Sequence, residues 1–315
     1  MSEVPVFDAD AVLGAVPPGL AIERTRLAFE RHAAGEWVMP AKVYLDAPPH
    51  GDFRAMPARG DGYALLKWVT SFPHNAERGL PAVAGALVLS DAGTGALVAI
   101  MDCASVTSLR TGAAAAVSAQ ALATGDASAV GVIGCGVNGA WAARCLAAAG
   151  FDSGICADVR PEPAEALASE LGWRVGERAE AAAQDVVVTV TPGEQPVVLA
   201  AEVRDGQHFA VLGADAHGKA EVEAAALERC RLFCDEWEQA AGGGELSGAV
   251  QRGEVARADV TPLGEILAGT ARGRGSAEEI TLFDSTGLAI QDLGIATAVL
   301  VAWESGAIEA ATVRL

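Results

Sequence analysis

Between residues 134 and 139 the chain reads Gly-Cys-Gly-Val-Asn-Gly. Three glycines at that spacing can cradle a phosphate, provided that a strand enters the loop and a helix leaves it. Both conditions are met: an apolar run over 129–133 precedes the loop, and a helical pattern over 140–149 follows it. Gly134 then permits the turn, Gly136 lets backbone approach a pyrophosphate, and Gly139 allows helix and strand to pack closely. The helix start adds free amides and the positive end of a dipole. Asp158, in "GICADVR", comes 19 positions after Gly139, where a carboxylate ending the second strand can accept both ribose hydroxyls. That favours NAD over NADP, because a 2′-phosphate would meet a like charge. Arg160, two residues on, is the neighbour able to tolerate such a phosphate. Thr189 and Thr191, ending the apolar run "DVVVTVT", complete the residues expected to face a dinucleotide.

Three further segments place charge where chemistry can use it. "LLKWVTSFPHN" puts Lys67 in an apolar strand, "SLRTGAA" puts Arg110 at a helix start, and "VLGADAHGKAE" puts Asp215 on a glycine-flanked loop after a strand. Lys67 and Arg110 offer charge-assisted donors to a carboxylate, and arginine can bind one through two parallel hydrogen bonds. A carboxylate on a strand-end loop, such as Asp215, can exchange a proton with a substrate nitrogen or with water. Cys230 and Cys234 do not make a metal site, since no second pair or nearby histidine completes four ligands.

The elements that must hold these residues change character along the chain. Residues 20–35 carry apolar side chains at helical spacing and stop at Gly35. Five short β-rich segments follow up to about residue 105, with "SDAGTG" (90–95) reading as a hairpin turn. "SVTSLRTGAAAAVSAQALA" is helical, with Thr107 or Ser108 as its cap. From Ala129 strands alternate with helices, the pattern of a parallel sheet covered on both faces. "AAGGGEL" (240–246) reads as a flexible loop, and "EITLFDSTGLAIQD" as a last strand, a turn and a helix to about residue 305. The fold expected is α/β. Residues 116–290 form a Rossmann-type, doubly wound parallel sheet, and residues 1–115 with a C-terminal helix over 291–315 form an α+β domain whose sheet is mainly antiparallel.

Composition bounds the partners. The 315 residues suit two domains, and a formal charge of −19 argues against nucleic acid or an anionic membrane. No apolar run approaches the ~20 residues needed to span a bilayer. The first residues carry neither the basic nor the apolar region of a secretory signal. Six cysteines scattered in apolar segments look like buried thiols of a reducing compartment, so a cytoplasmic location is expected.

The segments "KWVTSFPHN", "GLPAVAG", "SLRTGAAAAVSA", "GVIGCGVNG", "GADAHGKAE" and "FDSTGLAIQD", in that order, resemble the ornithine cyclodeaminase/μ-crystallin superfamily along nearly the whole chain. The resemblance implies a homodimer whose subunits have a substrate-binding and dimerisation domain and a Rossmann domain for a nicotinamide cofactor. It implies that Lys67 and Arg110 bind the substrate carboxylate, with Arg110 and Thr111 near the cofactor phosphates. Val137 and Asn138 match the dinucleotide loop, Asp158 the ribose acid, and Asp215 the acid/base. Lys219 matches a cofactor contact, and Ser285 and Thr286 the rim shared by cofactor and substrate.

Departures from the family pattern bear on the substrate. Lys42 stands where members that cyclise ornithine carry an arginine, Arg54 where they carry an acid, and Ala82 where a cofactor-touching threonine is usual. A distal ammonium needs a carboxylate partner. If Arg54 faces the pocket it repels such a group, whereas Lys42, Arg54, Lys67 and Arg110 together suit one carboxylate or two. The reading that follows is an NAD-dependent amino-acid dehydrogenase or imine reductase acting on a small amino or imino acid. Ornithine or lysine cyclodeamination, with the cofactor recycled internally, is the alternative. A non-catalytic dinucleotide-binding protein is the third.

Overall fold

The structure is a computed structural model describing residues 3–192, 195–214 and 218–315. It divides into two compact units, Met1–Arg110 with Leu288–Leu315, and Thr111–Gly287.

In the first unit β1 (Glu3–Phe7) leads to α1 (Ala9–Ala15) and α2 (Pro18–Ala33). Asp8 caps α1 by accepting the Ala11 amide at 2.9 Å, and Pro18 opens α2 where a missing N–H costs nothing. Strands β2 (Val43–Ala47), β3 (Gly51–Gly60), β4 (Tyr63–Ser71), β5 (Val83–Asp91) and β6 (Leu97–Asp102) form the antiparallel meander read from the sequence. Asp91 closes the expected turn by accepting the amides of Gly93 and Thr94. The sheet is nevertheless mixed. Its order is C-terminal strand (Ala311–Arg314), β1, β6, β5, β4, β3, β2, with β1 parallel to β6. Pro5 hides β1 from sequence reading, since proline is rare inside a sheet. Pairing with β6 begins only beyond it, at Val6 and Phe7.

α3 (Cys103–Leu122) starts earlier than its expected caps. Asp102 does the capping, accepting the Ser105 amide and hydroxyl, both at 2.7 Å, so Thr107 and Ser108 lie inside the helix. The C-terminal helix (Ala289–Glu304) is buried continuously from Ala289 to Leu300, as a helix apolar all round must be. It packs on α2, β3 and β4. Gly294 lets α2 come close, because a Cβ there would stand 2.9 Å from the Arg24 carbonyl oxygen.

The second unit alternates strands and helices. β7 (Ala129–Ile133), α4 (Val137–Ala148), β8 (Ser153–Ala157), α5 (Pro161–Leu171) and β9 (Arg174–Val175) are followed by β10 (Val186–Thr189) and β11 (His208–Val211). β12 (Cys230–Cys234), β13 (Val260–Pro262) and β14 (Ile280–Asp284) complete it. The order is β13-β12-β14-β11-β10-β7-β8-β9, and every pairing is parallel. The stretch read as a flexible loop is instead the helix Trp237–Gly243 and a packed turn. Glu245 there is buried and accepts the amides of Glu221 and Val222, both at 2.8 Å. Glycine runs signal freedom only until neighbouring segments fix them. Among the described residues no helix is long and apolar enough to cross a membrane.

Candidate functional site

The glycine loop joins β7 to α4, and each glycine has its own constraint. Gly134 has φ +96, and a Cβ on it would stand 2.3 Å from the Val190 carbonyl oxygen. A Cβ on Gly139 would stand 1.9 Å from the Gly134 oxygen, so this residue sets how closely α4 meets the loop. Gly136 is exposed and has open space beside it. The first helical hydrogen bond runs from Ala140 to the Gly136 carbonyl, so the amides of Val137, Asn138 and Gly139 precede the ladder. Val137 is exposed and Asn138 half-buried. Asp158 follows β8 and accepts the Cys135 amide at 2.7 Å on one oxygen and the Arg160 amide at 2.9 Å on the other. The acid therefore braces the glycine loop, and its remaining lone pairs stay available to ribose hydroxyls.

The ends of the central strands carry the other expected dinucleotide residues, and they converge on carboxylates that the sequence reading missed. Glu221 accepts the hydroxyl of Thr189 at 2.8 Å, the amide and hydroxyl of Thr191 at 2.6 and 2.7 Å, and the Gly213 amide at 2.7 Å. Burial pushes its carboxyl up, against these four bonds, which favour the charged form. Asp235 accepts the Thr286 hydroxyl at 3.1 Å and the Gly287 amide at 2.7 Å. Asp284, fully buried at the end of β14, has its pKa raised well above the usual carboxylate range by burial, with Asp235 adding to it. Lys219 is half-buried. Thr111 Oγ1 and Ser285 Oγ are buried without hydrogen-bond partners, as expected of groups that await a ligand. Open space at Gly136, free helix-start amides and these two hydroxyls fit a dinucleotide. Asp215, expected as the acid/base, lies outside the described residues.

In the first unit, alternation along β4 turns Lys67 inward, between exposed Leu66 and Trp68. Lys67 is 1% exposed, so its ammonium must be compensated. Asp292 of the C-terminal helix accepts from Nζ at 2.9 Å, and Thr107 of α3 accepts at 2.7 Å. Thr107, read as a cap, is thus a partner of the lysine. Arg110, one helical turn on, places Nε 3.5 Å from the same Asp292 oxygen. Arg110 Nε and Asp292 Oδ2 are buried with no hydrogen-bond partner. Asp292 was missed, although a carboxylate inside the uncharged run "GLAIQDLGIATAVL" was the available signal. Arg54 lies on the same inner face of the sheet, since Met56 pairs with Lys67 and Arg54 with Val69. It is buried and bound by Asp52 through Nε–Oδ1 at 2.6 Å and Nη2–Oδ2 at 3.2 Å. Lys42 is half-buried just before β2. Among the described residues no group of three His, Cys, Asp or Glu is arranged to hold a metal.

The chain is similar to known proteins along nearly its whole length. The model of the ornithine cyclodeaminase/mu-crystallin family matches residues 18–307. The alanine dehydrogenase of Archaeoglobus fulgidus is 43% identical over 287 residues, which cover 89% of this chain and 88% of that protein. An archaeal alanine dehydrogenase dimer solved with bound NAD superposes with a TM-score of 0.94 at 38% identity, covering 100% of both chains. The iminosuccinate reductase of Paracoccus denitrificans, solved with NAD+, superposes with a TM-score of 0.90 at 29% identity, again over 100% of both chains.

Proposed function

The chain belongs to the ornithine cyclodeaminase/mu-crystallin family, and from that premise we propose that it is an NAD-dependent oxidoreductase moving hydride to or from the α-carbon of a small amino or imino acid. One observation carries the reading. A single chain combines a glycine loop of dinucleotide type with a buried Lys67–Arg110 pair, one of whose donors makes no hydrogen bond. The solved relatives were captured with NAD or NAD+, and the names of the alanine dehydrogenase and the iminosuccinate reductase describe redox enzymes.

Bound NAD supplies a two-electron hydride acceptor, and its reduced form a donor. Everything else falls to the chain. Gly134, Gly136, Val137, Asn138 and Gly139 offer backbone to the pyrophosphate, Asp158 takes the ribose, and Thr111, Thr189, Thr191, Lys219 and Ser285 complete the cofactor contacts. Lys67 and Arg110 fix the substrate carboxylate, and Lys42, Arg54 and Thr286 are the further substrate-binding residues of this reading. Asp215 holds or releases the proton at the substrate nitrogen or at the attacking water. Arg54, on the same face as Lys67, already engages Asp52, so that carboxylate is not left to hold the second ammonium that cyclodeamination requires.

The test is NADH absorbance with purified protein, offering alanine, aspartate, ornithine, lysine or proline with NAD. A reverse set offers pyruvate or oxaloacetate with ammonia and NADH, and ammonia is followed in parallel. Net NADH change is the expected result and names the side chain. Ammonia release from ornithine or lysine with no net NADH change would overturn the redox reading in favour of cyclodeamination.

The protein acts as a homodimer in this reading, joined through the outer face of the first sheet. Leu66 and Trp68 are exposed there, and Phe53 stacks on Trp68 with centroids 5.6 Å apart. An apolar face of this kind marks an interaction site. The compartment is cytoplasmic, consistent with six cysteines that are all free, five of them buried.

A further inference from the structure

The cations expected to meet substrate are largely neutralised by carboxylates of the protein itself. Lys67 carries Asp292 at 2.9 Å, and Arg54, on the same inner face, carries Asp52 at 2.6 Å. Arg110 lies 3.5 Å from the same Asp292 oxygen, and its buried Nε makes no hydrogen bond. Two cations and one anion leave the Lys67–Arg110–Asp292 set with a single positive charge. A buried ion is tolerated only when its charge and hydrogen bonds are matched. One carboxylate matches this set. A second would meet an arginine already engaged through two hydrogen bonds.

We propose that Asp292 is a positioning residue that determines specificity. By holding Lys67 and sharing Arg110 it sets the site to one net positive charge and selects substrates with a single carboxylate over dicarboxylates. The inference rests on the carboxylate-binding role given above to Lys67 and Arg110, and it deepens the proposed function by naming the substrate class. It goes beyond the relatives' names, among which alanine has one carboxylate and iminosuccinate two.

Binding is read first, without turnover, by titrating propionate and succinate into the wild-type protein loaded with NAD, using calorimetry. Propionate is expected to bind at least about tenfold more tightly, the size of one charge-assisted contact. Equal or tighter succinate binding overturns the proposal and leaves the redox reaction untouched. Conversely, absence of any NADH chemistry overturns the reaction while the selectivity between the two acids still stands or falls by itself. The variant Asp292→Asn keeps the size of the side chain and an acceptor for Lys67 but raises the net charge of the set by one. It should raise kcat/KM for the dicarboxylic amino acid relative to the monocarboxylic one by about tenfold, with unchanged affinity for NADH. A purely structural role would lower both substrates together and leave their ratio unmoved, which refutes the assignment. If the variant does not fold, the wild-type titration decides.

Discussion

Asp215 and Asp158 carry the sharpest predictions at the scale of single residues, because each is given a definite chemical role. Asp215→Asn keeps shape and most hydrogen bonding but removes the proton acceptor. It should bind NADH normally and lose at least ~100-fold in kcat. Full turnover in that variant means another group handles the proton. Besides the proposed ribose contact, Asp158 supports the glycine loop through the oxygen that accepts the Cys135 amide at 2.7 Å. Asp158→Ser should therefore weaken NAD by about tenfold and shift preference toward NADP, read as the ratio of kcat/KM for the two cofactors. An unchanged ratio places the ribose elsewhere. Arg54 shows how far a residue type can be read alone. Its charge was legible, and so was its conflict with a distal ammonium. That Asp52 already neutralises it was not, because the pairing depends on both side chains standing on one face of β3.

At the scale of elements, the loop between β7 and α4 separates two roles that glycine can play. Gly136 has φ −64 and no heavy atom within 4 Å of the place a Cβ would take, whereas a Cβ on Gly139 would lie 1.9 Å from backbone. Gly136→Ala should fold with an unchanged Tm yet bind NADH at least about tenfold more weakly, because the methyl occupies the approach of the pyrophosphate. Gly139→Ala should lower Tm as well. Equal NADH binding by Gly136→Ala and wild type, in a fluorescence titration, removes the pyrophosphate from this loop. The strand ends also predict a pH dependence. Burial raises Glu245 from 4.5 to about 7 and raises Asp284 well above its usual range. A carboxyl with a raised folded-state pKa stabilises the fold while it is protonated. That contribution is complete below the unfolded value and is lost as pH rises through the folded one. His208, buried between Ser118 and Thr281, is pushed down to about 3 by burial from 6.5. It is therefore neutral in both states above about pH 6.5 and adds no slope there. Stability should fall as pH rises toward about 7, the folded-state value of Glu245, by up to roughly 1.4 kcal/mol per unit for each carboxyl still protonated in the fold. A Tm that rises across this window contradicts the buried, protonated state of these acids.

For the whole molecule, the outer face of the first sheet predicts association. Trp68→Lys with Leu66→Glu places two charges on the exposed apolar face while leaving inward Lys67 and its partners in register. Sedimentation of the variant should show monomers where the wild type is dimeric, and a wild-type monomer would refute the dimer outright. The α/β class, the glycine loop and the family were all legible in the residues, because periodicity, glycine spacing and turn chemistry are local. Pro5 concealed β1, and a run of glycines concealed the packed turn at Glu245, since local propensity yields wherever tertiary neighbours satisfy the backbone. The chemistry-bearing types were local too: Lys67, Arg110 and the carboxylate after the second strand announce themselves by position in strand, helix and loop. What tertiary structure alone decided is which charges meet. Asp292 is 225 positions from Lys67 and reaches it only because a helix apolar on every side must bury itself against the inner face of β4. Charge balance in a buried site is set by such long-range distances, and no spacing along the chain encodes them.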